Sequence, residues 1–210
     1  MKFNRLSPAA IYLIVFLLVS SCAIFSKRHS TLPPAGTFGV DQTSLITQRD
    51  TSEPMRVFKT DSANDYTLLR SKSLDVDPFA DSVILKKLIR AMYLTVTDSA
   101  SLGVGIAAPQ VGVLKNVILV ERADKQGSPF EAYLNPRIIQ YSKMKQDCRE
   151  GCLSVPVTRG VTKNRSYAIL VEYTGFDNKP VREMVEGFTA VIFQHEIDHL
   201  NGILFFDHLK

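Results

Sequence analysis

The chain has 210 residues, 45% of them hydrophobic, so it can bury one ordinary globular core and its length does not require two. Its formal net charge of +4 is modest. The basic residues are not gathered with aromatic residues into one face, and we therefore expect no nucleic-acid binding.

The first residues are typical of a secretory signal. Lys2 and Arg5 provide a positive start, and the apolar run from Ala9 to Val19 is too short to span a bilayer comfortably. Small residues then precede Cys22, which resembles the lipobox of bacterial lipoproteins, where the cysteine is acylated after cleavage. We expect residues 1–22 to be a lipoprotein-type signal peptide ending at Cys22, with an uncleaved signal anchor as the alternative.

Both alternatives predict the same location for the rest of the chain. It would lie in the cell envelope, facing outside the cytoplasm, and it would be tethered to the membrane by a lipid on Cys22 or by the uncleaved anchor. Residues 23–53 are polar, contain prolines and glycines, and show no sustained period of about 2 or 3.6 residues. They predict a flexible linker without chemistry, which leaves residues 54–210 for one folded domain.

The first periodic stretch of this domain predicts a helix. Asp77 and Pro78 would provide an acidic cap and a proline in the first turn. Apolar residues then recur at three- and four-residue spacing from Leu85 to Val96. This spacing favours packing in the core over the lining of a ligand pocket.

The segment from Gly103 to Gln110 (GVGIAAPQ) is rich in small residues, which allow the backbone to approach another group closely. Its spacing matches neither nucleotide-binding glycine motif, and Pro109 interrupts any helix that could hold a phosphate. We therefore expect a tight strand and turn that present backbone amides and the Gln110 side chain to a site.

Three later stretches predict β-strands, because they are rich in β-branched and aromatic residues and are bounded by turn-forming residues. They are residues 116–121, 132–139 and 167–174. After Gly187 the apolar positions take helical spacing, and Asn201 with Gly202 predicts where that helix ends.

This last helix contains the sequence QHEIDHLNG at residues 194–202. His195 and His199 lie four residues apart, so on a helix their imidazoles project from one face and can bind one metal ion. Glu196 lies beside the position at which the metal would bind water, where its carboxylate can accept a proton. An amphipathic helix with two surface histidines is the alternative, but the whole chain has only four histidines.

A catalytic metal usually has three protein ligands, and two histidines leave it one short. Cys152 is the best candidate for the third, because a thiol beside a divalent cation is deprotonated and binds it. Outside the cytoplasm, a disulfide with Cys148 is the alternative. In an extended strand, however, residues four apart are roughly 13 Å from each other, which is beyond disulfide reach.

Three separated motifs together resemble the signature motifs of peptide deformylases, and they occur in the same order. They are GVGIAAPQ at 103–110, EGCLS at 150–154 and QHEIDHLNG at 194–202. The similarity extends over roughly residues 54–210. It implies a metal-dependent hydrolase that removes the N-formyl group from N-formylmethionyl peptides and releases formate. It also implies an α+β fold in which mixed or antiparallel β-sheets pack around a C-terminal helix that carries HExDH.

The resemblance implies a metal centre and a base. Cys152, His195 and His199 would bind one divalent metal ion, and Glu196 would be the general acid and base. Fe(II) is expected for this family, with Zn(II) and Ni(II) as alternatives, because affinity order and availability decide as much as ligand type. These roles fit the chemistry, since a formamide carbonyl is a poor electrophile that a metal can polarise.

The resemblance also assigns residues to the substrate. Gln110 and the backbone N–H of Leu153 would stabilise the oxyanion, and Gly105 would contact the peptide backbone. Arg159, five residues after the EGCLS motif, would help to orient the substrate. 

Two acidic residues near the predicted ligands match no ligand position. We expect Glu150 and Asp198 to hold imidazoles and loops in orientation. Residues 95–102 are a few residues longer than the family pattern, which would alter the rim of the pocket.

The export signal is the most consequential departure from the family, whose members act on nascent chains in the cytosol or in organelles. A lipid-anchored copy would not meet the ribosome. Two other functions therefore stay open: an exported amidase or peptidase with a non-formyl substrate, and a lipoprotein that binds peptides or metal without catalysis. We expect the protein to be a monomer.

Overall fold

The computed structural model describes residues 36–209. The predicted signal peptide and Cys22 lie outside the described residues, as do residues 23–35 of the predicted linker. Within residues 36–209, no helix combines the length and the apolar composition needed to cross a membrane.

The described residues form four α-helices and seven β-strands. The helices are α1 (Val40–Thr47), α2 (Ala63–Leu69), α3 (Ser82–Thr97) and α4 (Gly187–Leu200). The strands are β1 (Gly105–Ala107), β2 (Val117–Glu121), β3 (Phe130–Tyr141), β4 (Lys145–Cys152), β5 (Val155–Ser166), β6 (Ala168–Thr174) and β7 (Pro180–Glu186). Short 3-10 helices occupy Ala108–Val111 and Phe205–His208.

Five strands form one antiparallel sheet in the order β1-β2-β3-β6-β7. The other two, β4 and β5, pair antiparallel in a separate two-stranded ribbon. The expected α+β fold with antiparallel sheets is confirmed. The three strands predicted from sequence correspond to β2, β3 and β6.

The larger sheet is covered on both faces. In β2, Val117 and Leu119 belong to the hydrophobic cluster that includes α3, whereas Ile118 and Val120 belong to the cluster that includes α4. A strand buried on both faces is expected to be apolar throughout, which explains the VILV run. The sheet therefore separates two cores, and α4 lies in the second.

Helix α4 is buried around most of its circumference. His195, Glu196 and His199 are all buried, together with the apolar residues that pack on the sheet. The alternative of an amphipathic helix with surface histidines is therefore wrong. A buried imidazole or carboxylate needs a partner, so these side chains belong to a polar site inside the domain.

The start of α3 differs from the sequence prediction. The helix begins at Ser82 after an N-cap at Asp81, not at Asp77 and Pro78. The backbone N–H of Asp77 donates to the carbonyl of Gly36 (3.1 Å), and the Asp81 carboxylate accepts from the N–H of Phe38 (2.9 Å). These long-range bonds hold the expected first turn in a non-helical conformation.

The same contacts correct the expected linker. Residues 36–53 are not a free spacer, because they contain α1, which packs against α3. Phe38 and Ile46 are buried in the cluster around α3. An eight-residue helix with few buried positions gives little periodic signal and depends on tertiary packing for its stability, so the sequence pattern did not reveal it.

This packing predicts that the segment before the family-like region contributes to stability. Replacing Ile46, which is 1% exposed, with alanine should lower the free energy of unfolding by about 2–4 kcal/mol through lost burial and a cavity. Val40 in the same helix is 82% exposed, and Val40→Ala should change it by less than about 0.5 kcal/mol. Urea unfolding measures both, and equal effects would contradict the packing of α1.

Candidate metal centre

The ribbon and α4 bring the three predicted ligands together. Cys152 ends β4, and His195 and His199 lie one turn apart on α4. One ligand atom from each residue lies within 4.8 Å of the other two. Cys152 Sγ is 3.2 Å from His199 Nε2.

The disulfide alternative is wrong. Cys148 and Cys152 both lie on β4, and both are free thiols. The extended strand separates them, as the spacing argument requires. Cys152 is thus available as a ligand.

Glu150 fixes the orientation of the first histidine. Its Oε2 is 2.7 Å from His195 Nδ1, which leaves the other ring nitrogen to face the centre. The guanidinium of Arg165 donates two hydrogen bonds to the same carboxylate, at 2.8 and 2.9 Å, and Thr162 donates another. Burial raises the pKa of Glu150, but the bonds from His195 and Arg165 outweigh it and lower that pKa to about 2.

Arg165 joins this carboxylate to a second acid. Its Nη1 donates to Asp198 Oδ2 at 2.6 Å, and His208 Nε2 lies 2.9 Å from the same oxygen. Asp198 therefore supports the site through Arg165 and does not contact a ligand imidazole through any bond seen here. Arg165 escaped the sequence analysis because its partners are 15 and 33 positions away. A buried arginine has no local signature.

Glu196 is a buried carboxylate beside the three ligands. Within residues 36–209 its Oε2 has no hydrogen-bond partner, and burial raises its pKa to about 7. Gly105 lies against it: a Cβ on Gly105 would stand 2.6 Å from Glu196 Oε1 and 2.7 Å from Ile192 Cγ2. Glycine is needed at this position because β1 passes too close to α4 for any side chain.

The side chain of Gln110 is held in one orientation. Its Oε1 accepts from the N–H of Ala107 at 2.8 Å. Its Nε2 is therefore directed toward Cys152 Sγ (3.5 Å) and Ser154 Oγ (3.3 Å). The expected strand and turn are present as β1 and the first 3-10 helix, with Pro109 at the start of that helix.

These side chains open onto one pocket of about 490 Å³, within the size range of small-ligand sites. It is lined by the predicted site residues except His199, which lies behind them. The predicted members of the lining are Gly105, Gln110, Cys152, Leu153, Arg159, His195 and Glu196. The sequence did not predict the contribution of Val157 and Phe188 to the same lining.

The donor set fits a divalent metal ion. A thiol and two imidazoles are the ligands of Cys-His-His sites, and the pocket leaves a side open for substrate. Burial alone would lower the pKa of His195, but its hydrogen bonds with Cys152 and Glu150 raise it well above 6.5. Burial and the charge of His195 lower the pKa of His199, which keeps it neutral.

The Glu150 contact predicts an effect on metal affinity. Glu150→Gln should weaken metal binding by about 10- to 100-fold, because the His195 imidazole loses a charged partner. Glu172→Gln removes a carboxylate from the Arg182 ion pair, away from the pocket, and should leave the affinity unchanged. Titration against a competing chelator measures both variants, and unaltered affinity in folded Glu150→Gln would contradict the role of this contact.

Comparison with known proteins agrees with the site. Residues 58–210 match the family described as polypeptide deformylase. The chain is 42% identical over 140 residues to a peptide deformylase from Desulforudis audaxviator, covering 67% of this chain and 86% of that protein.

Solved structures show the same likeness. The actinonin-bound class I type b peptide deformylase from Acinetobacter baumannii aligns with a TM-score of 0.65 at 35% identity, covering 76% of this chain and 100% of that one. The Met-Ala-Ser-bound form of that enzyme aligns with a TM-score of 0.64 at 35% identity, covering 74% and 99%.

Proposed function

The chain belongs to the peptide deformylase family, and we propose that Cys152, His195 and His199 bind its metal while Glu196 transfers the proton. The protein is an enzyme that removes the N-formyl group from N-formylmethionyl peptides and releases formate. One observation supports these residue assignments above all. The three ligand atoms lie within 4.8 Å of one another, and the buried carboxylate of Glu196 lies beside them in the same pocket.

The metal of this proposal is Fe(II), with Zn(II) and Ni(II) as alternatives that the same donors accept. A divalent cation held there by Cys152, His195 and His199 would supply Lewis acidity, which would polarise the formyl carbonyl and lower the pKa of bound water. The protein's part is to present one thiolate and two oriented imidazoles. Glu150 supports this arrangement by accepting from the outer nitrogen of His195.

Glu196 is placed to accept a proton from the attacking water and deliver it to the leaving amine. Burial holds its pKa near neutrality, which suits a group that must both take and give a proton. Its Oε2 has no protein partner within the described chain and so is free for water or substrate. Gly105 provides the space in which this carboxylate sits.

The oxyanion of the tetrahedral intermediate needs donors that are already in place. Gln110 meets this need, because its amide oxygen is occupied by Ala107 and its N–H groups are turned toward Cys152. The backbone N–H of Leu153, the residue after Cys152, is the second donor. Losing one such donor typically costs about 3 kcal/mol of transition-state stabilisation.

Two residues of the pocket are assigned to substrate binding. Gly105 lines the pocket at the start of β1 with partly exposed backbone, which suits contact with the peptide chain. Arg159, an exposed residue of β5, lines the same pocket and orients the substrate.

We further propose that the enzyme is a lipoprotein of the cell envelope, anchored through Cys22 and facing outside the cytoplasm. The support is the sequence alone: a positive start, a short apolar run and small residues before Cys22. The substrates would then be formylated peptides outside the cytoplasm. Catalysis needs no second copy of the chain, because one chain supplies the whole pocket, and we propose a monomer.

Replacing Glu196 with glutamine tests the catalytic assignment. Formate release from a formyl-Met peptide should fall by at least about 100-fold, because proton transfer is lost, while one metal per chain stays bound. Glu186→Gln, an exposed neighbour at the start of α4, is the matched control and should keep activity. Loss of metal from the Glu196 variant would show that this carboxylate is a ligand and not the base.

Replacing Cys22 with serine tests the anchor. The unaltered chain should partition with membranes and carry an acyl group detectable by mass spectrometry, whereas the Cys22→Ser variant should carry none. Cys148→Ser leaves the signal intact and should behave as the unaltered chain does. An unacylated Cys22 in the native host would refute the proposed lipoprotein.

A further inference from the structure

The mouth of the catalytic pocket is positively charged. Lys59, Arg149 and Arg159 line it, and all three are exposed. None of their side chains forms an ion pair with another residue in the described part of the chain. The acidic residues of the lining are Glu150 and Glu196, both buried beside the ligands. Substrate entering the pocket therefore meets three uncompensated cations.

The ribbon places two of these cations side by side. Gly151 pairs with Arg159 and Arg149 pairs with Val161, so the two arginines are diagonal neighbours on one face. Arg159 crosses Gly151: a Cβ on this glycine would lie 3.4 Å from Arg159 Cγ and 3.7 Å from its Nε. The Arg159 stem thus lies over Gly151 at ordinary van der Waals distance.

Lys59 approaches the pocket on a fixed stretch of backbone. The N–H of Phe58 donates to the carbonyl of Gln110, and the N–H of Thr60 donates to the carbonyl of Ser154, each at 2.8 Å. Both acceptors flank the metal centre. These two hydrogen bonds fix the backbone of Lys59 beside the site, while its side chain is exposed to solvent.

We propose that Arg149, together with Arg159 and Lys59, binds the C-terminal carboxylate of a short formylated peptide. This inference rests on the proposed function of the site and names its substrate class. Arg149 lies three residues before Cys152 on β4, which places the two about 10 Å apart along the strand. An extended peptide of three residues spans about 10 Å. A formylated tripeptide with its formyl group at the metal centre therefore spans the distance to Arg149 with its chain end, and Arg159 and Lys59 line the same pocket.

An anionic membrane surface could also attract three cations. The peptide carboxylate is favoured because the cations share one pocket with Glu196 and His195, so a ligand group bound there can belong to the reacting molecule. A flat lipid surface would use cations on a face outside the pocket. Guanidinium groups also bind carboxylates in two-bond geometry, which suits a chain end.

Three peptides test the inference on the metal-loaded enzyme. They are formyl-Met-Ala-Ser with a free carboxylate, the same peptide with a C-terminal amide, and the amide with Asp in place of Ser. The acid should show a kcat/KM about fivefold above the amide, and raising the salt concentration should shrink this ratio, because the charges are exposed. Arg149→Gln should reduce the acid-to-amide ratio to near 1, and Arg149→Lys should retain part of it.

Lys163→Gln is the matched control, because Lys163 is exposed on β5 but does not line the pocket. It should keep the unaltered ratio. Equal kcat/KM for the acid and the amide in the unaltered enzyme would overturn the inference, whereas no hydrolysis of any formyl peptide would instead refute the proposed function. An Asp-containing amide as good as the acid would overturn the assignment to the chain end. Equal kcat/KM for the acid and the amide, together with binding to anionic vesicles that Arg149→Gln weakens, would assign the cations to a membrane surface.

Discussion

The metal site depends on one buried carboxylate. Glu150, on β4, is bonded to His195 on α4 and to Arg165 on β5, so a single charged group joins three elements. A buried carboxylate is stable only when it is paired and fully hydrogen-bonded, and removing one partner typically costs about 3–5 kcal/mol. The ribbon therefore has one favourable position relative to α4. That position brings Cys152 to the two histidines.

A second constraint acts from the other side of α4. Strand β1 approaches the helix so closely that only glycine fits beside Glu196, and the same strand leads into the turn that carries Gln110. One stretch of eight residues, Gly103 to Gln110, thus both packs against Glu196, the proposed base, and carries Gln110, the proposed oxyanion donor. Charge fixes the ribbon against one side of the helix, and close backbone packing fixes β1 against the other. The pocket is the space left between them.

The sequence could predict interactions between residues that lie close together in the chain, but not interactions between residues far apart in it. The pairing of His195 with His199 is local, because four residues on a helix share a face, and three ordered motifs identified the family and the fold. Arg165 and Ile46 could not be found this way. Both residues have partners far away in the chain. Neither the buried ion pairs of Arg165 nor the packing of Ile46 against α3 produces a periodic sequence pattern. The predicted start of α3 was wrong for the same reason, because the expected first turn is hydrogen-bonded to residues about forty positions earlier.

The charge of the pocket mouth bears on the proposed export signal. A nascent chain on the ribosome has no free C-terminal carboxylate within reach of its formyl end, so Arg149, about 10 Å from Cys152 along β4, would gain nothing from it. A short free peptide carries its carboxylate at that distance. In the proposed location outside the cytoplasm, free peptides are the formylated molecules that the enzyme would meet, because the ribosome is absent. The proposed signal at residues 1–22 and the cations of the pocket thus support the same substrate class through independent arguments, one from cellular location and one from charge.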